Sequence, residues 1–379
     1  MGAQVGTVFV SCGETSGDQY ASALAKALRD EGFAGRVWGM AGPESAASGV
    51  EVEWSMDELQ LMGIVEVLGA IPRLFRLRSR IVERILAERP SVLVLIDSPD
   101  FHLPLLSSLR KRGYKGKAVY LCPPTVWAWR PSRTEKLKRL CDLCLPLFRF
   151  EHEFLLRHDV RSRWIGHPLK DRLDGFLPDR DLKKRLEGKD IIGLLPGSRP
   201  GEVARLLPPL LDAGRKLRAE GYYPLVSLAP HLPRGTRRFL RESAADSDID
   251  VYEGPGKHVL AVSLAVAGAS GTVAVESLIL KTFMVVLYRA SSSSWLAYRL
   301  FVKTPWISIP NILAGDEIFP EFLQSDATAR NVLYSLNRYC ENAEYRRRTE
   351  SLMEKAVGEL GEKGAVQDWA RALLEELKQ

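Results

Sequence analysis

Short apolar runs rich in β-forming residues recur along this chain of 379 residues, and helical patterns separate most of them. The helical patterns include Asp18–Glu31 and Ile71–Glu88. Strands and helices that alternate in this way form βαβ units, in which helices cover a parallel sheet. The sequence therefore predicts an α/β fold. The apolar runs are Thr7–Cys12, Ser91–Ile96, Ala118–Leu121, Asp142–Leu147, Ile191–Leu195, Tyr223–Leu228 and Ala261–Ala267.

The length of the chain exceeds what one hydrophobic core usually serves, so two domains are expected, with ligands in the cleft that they face. A polar stretch precedes the strand at Ile191, and we place the hinge at about residues 167–190. The first domain is then 1–168 and the second 190–340. The segment 341–379, rich in Glu, Arg, Lys, Leu and Ala, is predicted to be helical and to pack on the first domain or on a partner subunit.

Charge and cysteine content narrow the class of protein. The 53 basic and 47 acidic residues give a net charge of +6, which favours anionic ligands. Without a recognisable nucleic-acid module, no nucleic-acid partner is expected. Five irregularly placed cysteines and an N-terminus without leader features predict a protein of the reducing cytoplasm.

A glycine turn follows the apolar run Ile191–Leu195. Gly197 allows backbone amides to approach an anion, Ser198 adds a hydroxyl, and Arg199 can hold two oxygens at once. The following helix would direct its positive end to the same place. The pattern predicts a phosphate site, although an ordinary turn with a surface arginine would look the same.

The first apolar run ends in a second candidate ligand loop, at the sheet edge where doubly wound folds bind ligands. Its candidate binding residues are Gly13, Glu14, Ser16, Gly17 and Asp18. The alternative is that Ser16 or Asp18 only caps the first helix. Neither a dinucleotide fingerprint nor a Walker motif occurs, so no cofactor is expected.

Two carboxylates follow the apolar run that ends at Ile96. Asp97 and Asp100 would lie at the carboxyl end of a buried strand, where desolvation raises the pKa of a carboxylate towards the range of a general base. The alternative is that either residue caps the next turn.

The second half repeats the strand–turn–helix arrangement. Ser270, Gly271 and Thr272 suit a diphosphate, and Glu276 suits a ribose diol unless it pairs with an arginine. The acidic run Asp246–Asp250 lacks the glycine and the final acidic residue of a calcium loop, so no metal site is predicted.

Two segments combine aromatic or apolar residues with arginine. The pattern Ile71–Glu88 is basic and amphipathic, and Trp295–Phe301 adds aromatic and basic residues. Both are typical of a helix at an anionic membrane surface, and both also occur as core-facing helices with one solvated side.

Taken in order, these motifs closely resemble the lipid-A-disaccharide synthase family, the glycosyltransferases of bacterial outer-membrane lipid assembly. The resemblance extends from about residue 7 to 325, with departures at Pro123 and Phe283. It implies two Rossmann-like domains facing a cleft, the B-type glycosyltransferase fold. The motifs are Gly13–Asp18, Met62–Leu68, Asp97–Phe101, Val126–Arg130, Ile165–Pro168, Leu195–Arg199, Ser270–Thr272 and Pro310–Gly315.

The resemblance also implies the reaction: transfer of 2,3-diacylglucosamine from its UDP carrier to the 6-hydroxyl of 2,3-diacylglucosamine 1-phosphate, with inversion. Asp97 would be the base, with Asp100 as second choice, and Arg199 would hold the leaving UDP without a metal. Trp127 and Asn311 join the substrate-binding residues. The implied partners are the inner-membrane surface and a second copy of the chain with exchanged C-terminal segments.

Two alternatives stay open at this point. The chain could be another UDP-sugar transferase or epimerase of the same fold, which should lack both the aromatic run at Trp127 and the basic helix. It could also be a non-catalytic carrier of a nucleotide sugar or lipid. The presence of Asp97, Arg199 and Glu276 argues against a carrier.

Overall fold

The computed structural model describes residues 6–59, 64–128, 130–290, 295 and 304–378, without the side chains of 64–70. The chain forms two compact units, which comprise residues 1–171 with 360–379, and 172–359. The strands are β1 (Val8–Cys12), β2 (Val37–Ala41), β3 (Glu51–Ser55), β4 (Val92–Ile96), β5 (Lys117–Leu121), β6 (Leu143–Leu145), β7 (Ile191–Leu195), β8 (Tyr223–Leu228), β9 (Asp250–Glu253), β10 (Ala265–Ala269), β11 (Phe283–Tyr288) and β12 (Glu321–Leu323).

Helices connect most of these strands, and short 3₁₀ turns occur at Met56–Glu58 and Gln324–Asp326. The helices are α1 (Thr15–Asp30), α2 (Pro43–Ala47), α3 (Ile64–Glu88), α4 (Pro99–Lys111), α5 (Arg133–Leu140), α6 (Arg149–Arg157), α7 (Pro168–Leu173), α8 (Arg180–Arg185), α9 (Pro200–Ala219), α10 (Arg234–Asp246), α11 (Gly256–Val262), α12 (Thr272–Ile279), α13 (Ile309–Ala314), α14 (Ala329–Glu341), α15 (Ala343–Gly358) and α16 (Ala365–Lys378).

The first unit contains a six-stranded sheet in the order β3-β2-β1-β4-β5-β6, with every neighbouring pair parallel. The central strands β1 and β4 are buried throughout, which explains their unbroken apolar character. Their register pairs Val8 with Val92 and Cys12 with Ile96. The loops that follow these two strands therefore begin side by side at the carboxyl edge of the sheet.

The second unit contains the sheet β12-β11-β10-β7-β8-β9, also parallel throughout. Counted within each unit, both sheets have the doubly wound order 3-2-1-4-5-6. The predicted α/β class with two Rossmann-like domains is confirmed. The predicted strand Ala261–Ala267 is shifted: residues 256–262 form α11, and β10 begins at Ala265.

The last helix completes the core of the first unit. In α16, Trp369 is fully buried and meets Tyr20 of α1 edge to face at 5.7 Å between ring centroids. Glu376, also buried, accepts from the Arg161 guanidinium at 2.6 and 3.2 Å. The sequence grouped 341–379 as one segment, whereas the division between the units falls between 359 and 360, so α15 and α16 belong to different units.

Among the residues that the structure describes, no helix is both long enough and apolar enough to cross a bilayer.

Candidate active site

Asp97 lies beside the first glycine loop because β1 and β4 are neighbours and end together. The amide of Gly13 donates to Asp97 Oδ1 at 3.2 Å. Gly13 and Gly17 both need to be glycine: a Cβ at Gly17 would overlap Asp97 Oδ2, and one at Gly13 would overlap Ser98 Oγ. The structure thus brings together two of the motifs that the sequence singled out.

The electrostatics of Asp97 suit a proton acceptor. Its Oδ2 is shielded from solvent and, among the residues the structure describes, has no hydrogen-bond partner. Burial raises the pKa of the Asp97 carboxyl to about 7, and the nearby Glu14 charge adds to this, while hydrogen bonds from Ser98 and from the amides of Gly13 and Glu14 act the other way. A carboxylate with a pKa near neutrality is well matched to general-base catalysis.

Asp100 lies in a different environment from Asp97, although it is only three residues further on. Its side chain is 79% exposed on the first turn of α4 and pairs with Arg133 and, at 3.5 Å, with Arg130. Two guanidinium groups already engage this exposed carboxylate, whereas Oδ2 of Asp97 is shielded and has no hydrogen-bond partner among the described residues. The structure therefore favours Asp97 over Asp100 as the base.

Asp18 takes part in the framework of this loop. It is buried, and its carboxylate accepts from the amides of Gly42, Glu44 and Ser45 at 2.9 to 3.1 Å. It therefore caps α2, whereas the sequence considered a cap of the first helix. Ser16 lies half-buried in the first turn of α1, and the exposed Glu14 occupies the N-cap position without a capping side-chain bond.

Trp127 is held by a residue that sequence reasoning missed. Its Nε1 donates to Glu151 Oε1 at 2.9 Å, and its ring meets Phe150 edge to face at 4.9 Å. Glu151 is buried at the start of α6, where it also accepts from the amide of Phe148 at 3.3 Å. Burial raises the pKa of Glu151 to about 7 against these hydrogen bonds. Its position at N3 of a helix was the one available sequence signal.

This buried carboxyl predicts a loss of stability with rising pH. Between its ordinary pKa of 4.5 and about 7, folded Glu151 keeps a proton that the unfolded chain releases, so the free energy of unfolding falls as pH rises through that window. Glu151→Gln should remove roughly 3 kcal/mol of this decline. Urea titrations of the unmodified protein and of Glu151→Gln from pH 4 to 8 measure how the free energy of unfolding changes with pH. The exposed Glu153→Gln is the control. Equal slopes for all three proteins would contradict the prediction.

In the second unit, the glycine turn after β7 already binds an anion of the protein itself, the carboxylate of Glu202. Gly197 has a φ of +116°, and the amides of Ser198 and Arg199 donate to Glu202 Oε2 at 3.1 and 3.3 Å. Arg199 Nη1 lies 3.3 Å from Glu202 Oε1. The helix α9 begins at Pro200, which puts Glu202 at N3, the position from which a glutamate reaches back to the N-terminal amides. These are the donors that the sequence assigned to a phosphate.

The second glycine turn of this unit starts at the same sheet edge, since β10 pairs with β7 through Gly268 and Leu195. Gly271 has a φ of +151°, and Thr272 opens α12. One turn on, burial raises the pKa of Glu276, and the charges of Arg172 and Lys257 lower it. An arginine neighbour was the alternative reading of Glu276, and Lys257 was not anticipated.

Asn311 uses its hydrogen-bonding capacity inside the protein. Its amide nitrogen donates to the carbonyl of Phe319 and to Glu321 at 2.8 and 2.9 Å, and its oxygen accepts from the amides of Ile318 and Phe319. The side chain is fully buried. This arrangement favours a framework role over the ligand contact that was predicted.

Several predicted positions lie outside the described residues. They are Met62 and Gly63 of one motif, Trp129 of another, and 296–301 of the aromatic segment. Over the described ranges, no three or more histidines, cysteines or carboxylates cluster as metal ligands would.

The chain is similar to known proteins over nearly its whole length. A family model described as lipid-A-disaccharide synthetase matches residues 8–375. The lipid-A-disaccharide synthase of Azotobacter vinelandii is 38% identical over 329 residues, 85% of this chain and 86% of that protein. The Escherichia coli synthase is 37% identical over 340 residues, 87% of each chain.

Solved structures share the fold at much lower identity. The S. aureus MnaA-UDP co-structure superposes with a TM-score of 0.68 at 13% identity, covering 98% of this chain and 97% of that one. A Neisseria meningitidis UDP-GlcNAc 2-epimerase bound to UDP-GlcNAc gives 0.59 at 12%, covering 97% and 99%. At such identity the likeness concerns the fold alone.

Proposed function

Because this chain belongs to the lipid-A-disaccharide synthetase family, we infer that it is a glycosyltransferase that forms the lipid A disaccharide from a UDP-sugar donor. The family match over residues 8–375 is the observation that carries this conclusion. The epimerase alternative rests on fold likeness at 12 to 15% identity, against 36 to 38% for the synthases, and is not favoured. Possession of a base-like carboxylate at Asp97 argues against a carrier.

In finer detail, the donor is UDP-2,3-diacylglucosamine and the acceptor is 2,3-diacylglucosamine 1-phosphate. The Asp97 carboxylate takes the proton of the acceptor's 6-hydroxyl as that oxygen attacks C1 of the donor sugar. The bond from C1 to the β-phosphate oxygen breaks, UDP leaves, and the β-1,6 linkage forms with inversion. The raised pKa of Asp97 and its unpartnered Oδ2, among the described residues, support this assignment.

The second unit would receive the UDP of the donor. Arg199 and the amides of Ser198 and Arg199 carry positive charge at the start of α9, and the turn at Ser270–Thr272 opens α12 at the same sheet edge. Such groups stabilise the charge that develops on a departing diphosphate. Glu202 competes for the same amides, so it has to turn away as the diphosphate binds. Glu276 would take the ribose hydroxyls.

The experiment that tests the reaction is product analysis. The purified protein is incubated with UDP-2,3-diacylglucosamine and 2,3-diacylglucosamine 1-phosphate, and the products are identified by mass spectrometry and by the anomeric coupling constant. We expect UDP and a β-1,6-linked disaccharide 1-phosphate. Formation of an epimerised UDP-sugar, or of no product at all, would overturn the assignment.

Removal of metal ions is expected to leave the rate unchanged. The leaving diphosphate would be neutralised by Arg199 and by helix N-termini, so catalysis needs no added cation. The measurement is the initial rate before and after dialysis against EDTA, with Mg²⁺ added back. A strict requirement for Mg²⁺ would contradict this charge assignment.

We also propose that the enzyme associates with the inner-membrane surface through the described part of α3. Ile71 and Phe75 are exposed there, 39% and 54%, beside exposed Arg73, Arg76 and Arg80. Apolar side chains flanked by arginines suit the boundary between lipid headgroups and acyl chains. On this proposal the enzyme works on the cytoplasmic side of the inner membrane, where its acylated substrates would be held.

Reversal of those three charges should abolish membrane binding. The triple change of Arg73, Arg76 and Arg80 to Glu is compared with reversal of Arg346, Arg347 and Arg348 on α15, which alters the net charge equally. The fraction of protein that floats with anionic liposomes should fall only for the α3 variant. Binding of the unmodified protein should weaken at high salt, because salt screens the attraction between arginine and anionic lipid beyond the Debye length, about 10 Å at 0.1 M. Salt-independent flotation would contradict the proposal.

The homodimer implied by the resemblance would exchange α16. This helix joins the first unit from the far end of the chain, so the same pocket on α1 can receive it from a second copy. Sedimentation velocity distinguishes a dimer from a monomer.

A further inference from the structure

The backbone that carries Asp97 has an unusual conformation. Asp97 and Ser98 have φ values of +52° and +42°, two successive non-glycine residues in the left-handed region. Such a conformation persists only where the surrounding structure secures it. The turn also determines where the carboxylate points, so whatever secures the turn bears on the reaction.

Two buried side chains hold this turn through one atom, the main-chain carbonyl oxygen of Asp97. Tyr120 of β5 donates its hydroxyl to this oxygen at 2.5 Å, and His102 Nδ1 lies 2.9 Å from it. Behind His102, its Nε2 lies 2.7 Å from Ser11 Oγ of β1. All three side chains are fully buried.

The chemistry of these contacts fixes the protonation of His102. A carbonyl oxygen can only accept, so Nδ1 carries the proton and Nε2 accepts from the Ser11 hydroxyl. Burial lowers the pKa of His102 to about 4, so the ring is neutral near pH 7 and keeps this tautomer. The network is therefore a fixed set of donors aimed at the turn, and it takes no proton from the substrate.

On this basis, and resting on the proposed role of Asp97 as base, we propose that His102 and Tyr120 are positioning residues, which hold the Asp97 carboxylate in its catalytic orientation through the backbone carbonyl of the same residue. Both side chains are fully buried, so neither would touch the substrate. Their loss would let the turn relax and let water reach the carboxylate. Misplacement of a reacting group by about 1 Å can lower a rate by about a hundred-fold.

The chain contains a matched control for Tyr120. Tyr114 is also buried in the first unit, and its hydroxyl donates to the carbonyl of Pro90 at the same 2.5 Å. Tyr120→Phe and Tyr114→Phe each remove one hydroxyl and one buried hydrogen bond to a main-chain oxygen, and they should lose similar stability. Only Tyr120→Phe should lose about ten-fold to a hundred-fold in kcat with an unchanged KM for the UDP donor.

The pH dependence of kcat/KM distinguishes a residue that positions Asp97 from one that only stabilises the fold. Burial is the main cause of the raised pKa of Asp97, so access of water lowers that pKa. The acidic limb of kcat/KM should therefore move to lower pH in Tyr120→Phe and stay in place in Tyr114→Phe. At His102, Asn can place its amide nitrogen near the Nδ1 position and Gln near Nε2, so His102→Asn should retain more activity than His102→Gln.

The outcomes distinguish this inference from the proposed function. Suppose that Asp97→Asn is inactive. If Tyr120→Phe then has the same kcat as Tyr114→Phe, or loses kcat while the acidic limb of its pH profile does not move, the positioning role is overturned and Asp97 remains the proposed base. If Asp97→Asn is fully active, the proposed base is wrong. Should Tyr120→Phe fail to fold, the two His102 variants decide, and equal activity of the two overturns positioning.

Discussion

Replacement of Asp97 by Asn is expected to lower turnover by about 10²- to 10⁴-fold, the usual contribution of a general base. The change keeps the size of the side chain and an oxygen that can accept from the Gly13 amide. What it removes is the ability to take the proton of the acceptor hydroxyl. The measurement is kcat with both acylated substrates, together with the dissociation constant for UDP. UDP binding should change little, because the proposed UDP contacts belong to the second unit.

Asp100→Asn is the natural control for this result. It removes a carboxylate only three residues further on, at the start of α4, but one that is exposed and paired with arginines. Circular dichroism and thermal unfolding of both variants show whether the fold survives. If Asp100→Asn is inactive and Asp97→Asn is not, the base is Asp100. If both variants turn over normally, the base lies outside this loop.

Arg199→Ala should have the second largest effect. Removing a preorganised cation from a departing diphosphate costs about 2–4 kcal/mol of transition-state stabilisation, which lowers kcat/KM by roughly thirty- to a thousand-fold. The fold should remain intact, because Arg199 is a surface residue that pairs with Glu202 at 3.3 Å. Rates at saturating acceptor and UDP affinity by calorimetry are the measurements.

A comparable surface arginine provides the control. Arg238 of α10 lies in the same unit and is exposed, 3.8 Å from Glu242 one helical turn away. Arg238→Ala should leave both rate and affinity unchanged. Turnover of Arg199→Ala at the level of Arg238→Ala would remove Arg199 from the proposed leaving-group site.

Much of the fold could be predicted because the central strands are buried on both faces. Strands such as β4 and β7 are short apolar runs that end in glycine or acidic turns, and they stand out from their surroundings. Five of the described strands escaped prediction: β2 and β11, which are largely buried, and β3, β9 and β12, which lie at sheet edges. β3 is an edge strand of mostly exposed residues, Glu51–Ser55, and β12 is only three residues long. Such strands form because a neighbouring strand offers them hydrogen bonds, and their own residues carry no apolar pattern that would reveal them.

The parts of the site that could be predicted are those in which the order of the strands alone brings two loops together. Asp97 and Gly13 follow neighbouring strands of a doubly wound sheet, so their meeting follows from topology. Tyr120 and His102 were not anticipated, because their role depends on which main-chain atom their side chains reach. Histidine spacing indicates metal ligands and says nothing of a bond to a carbonyl oxygen. Glu202 was missed for a similar reason: a glutamate on the first turn of a helix is common.

Because α16 packs in the first unit but is made last, the first unit can complete its core only at the end of protein synthesis. Translation proceeds from the N-terminus, and α1 emerges from the ribosome long before residues 365–378. Until then Tyr20 of α1 lacks its partner Trp369, and the complete second unit is made in the interval. The first unit is therefore the first to start folding and the last to finish, and for most of its time on the ribosome a nascent chain of this enzyme lacks the part of that core which α16 supplies.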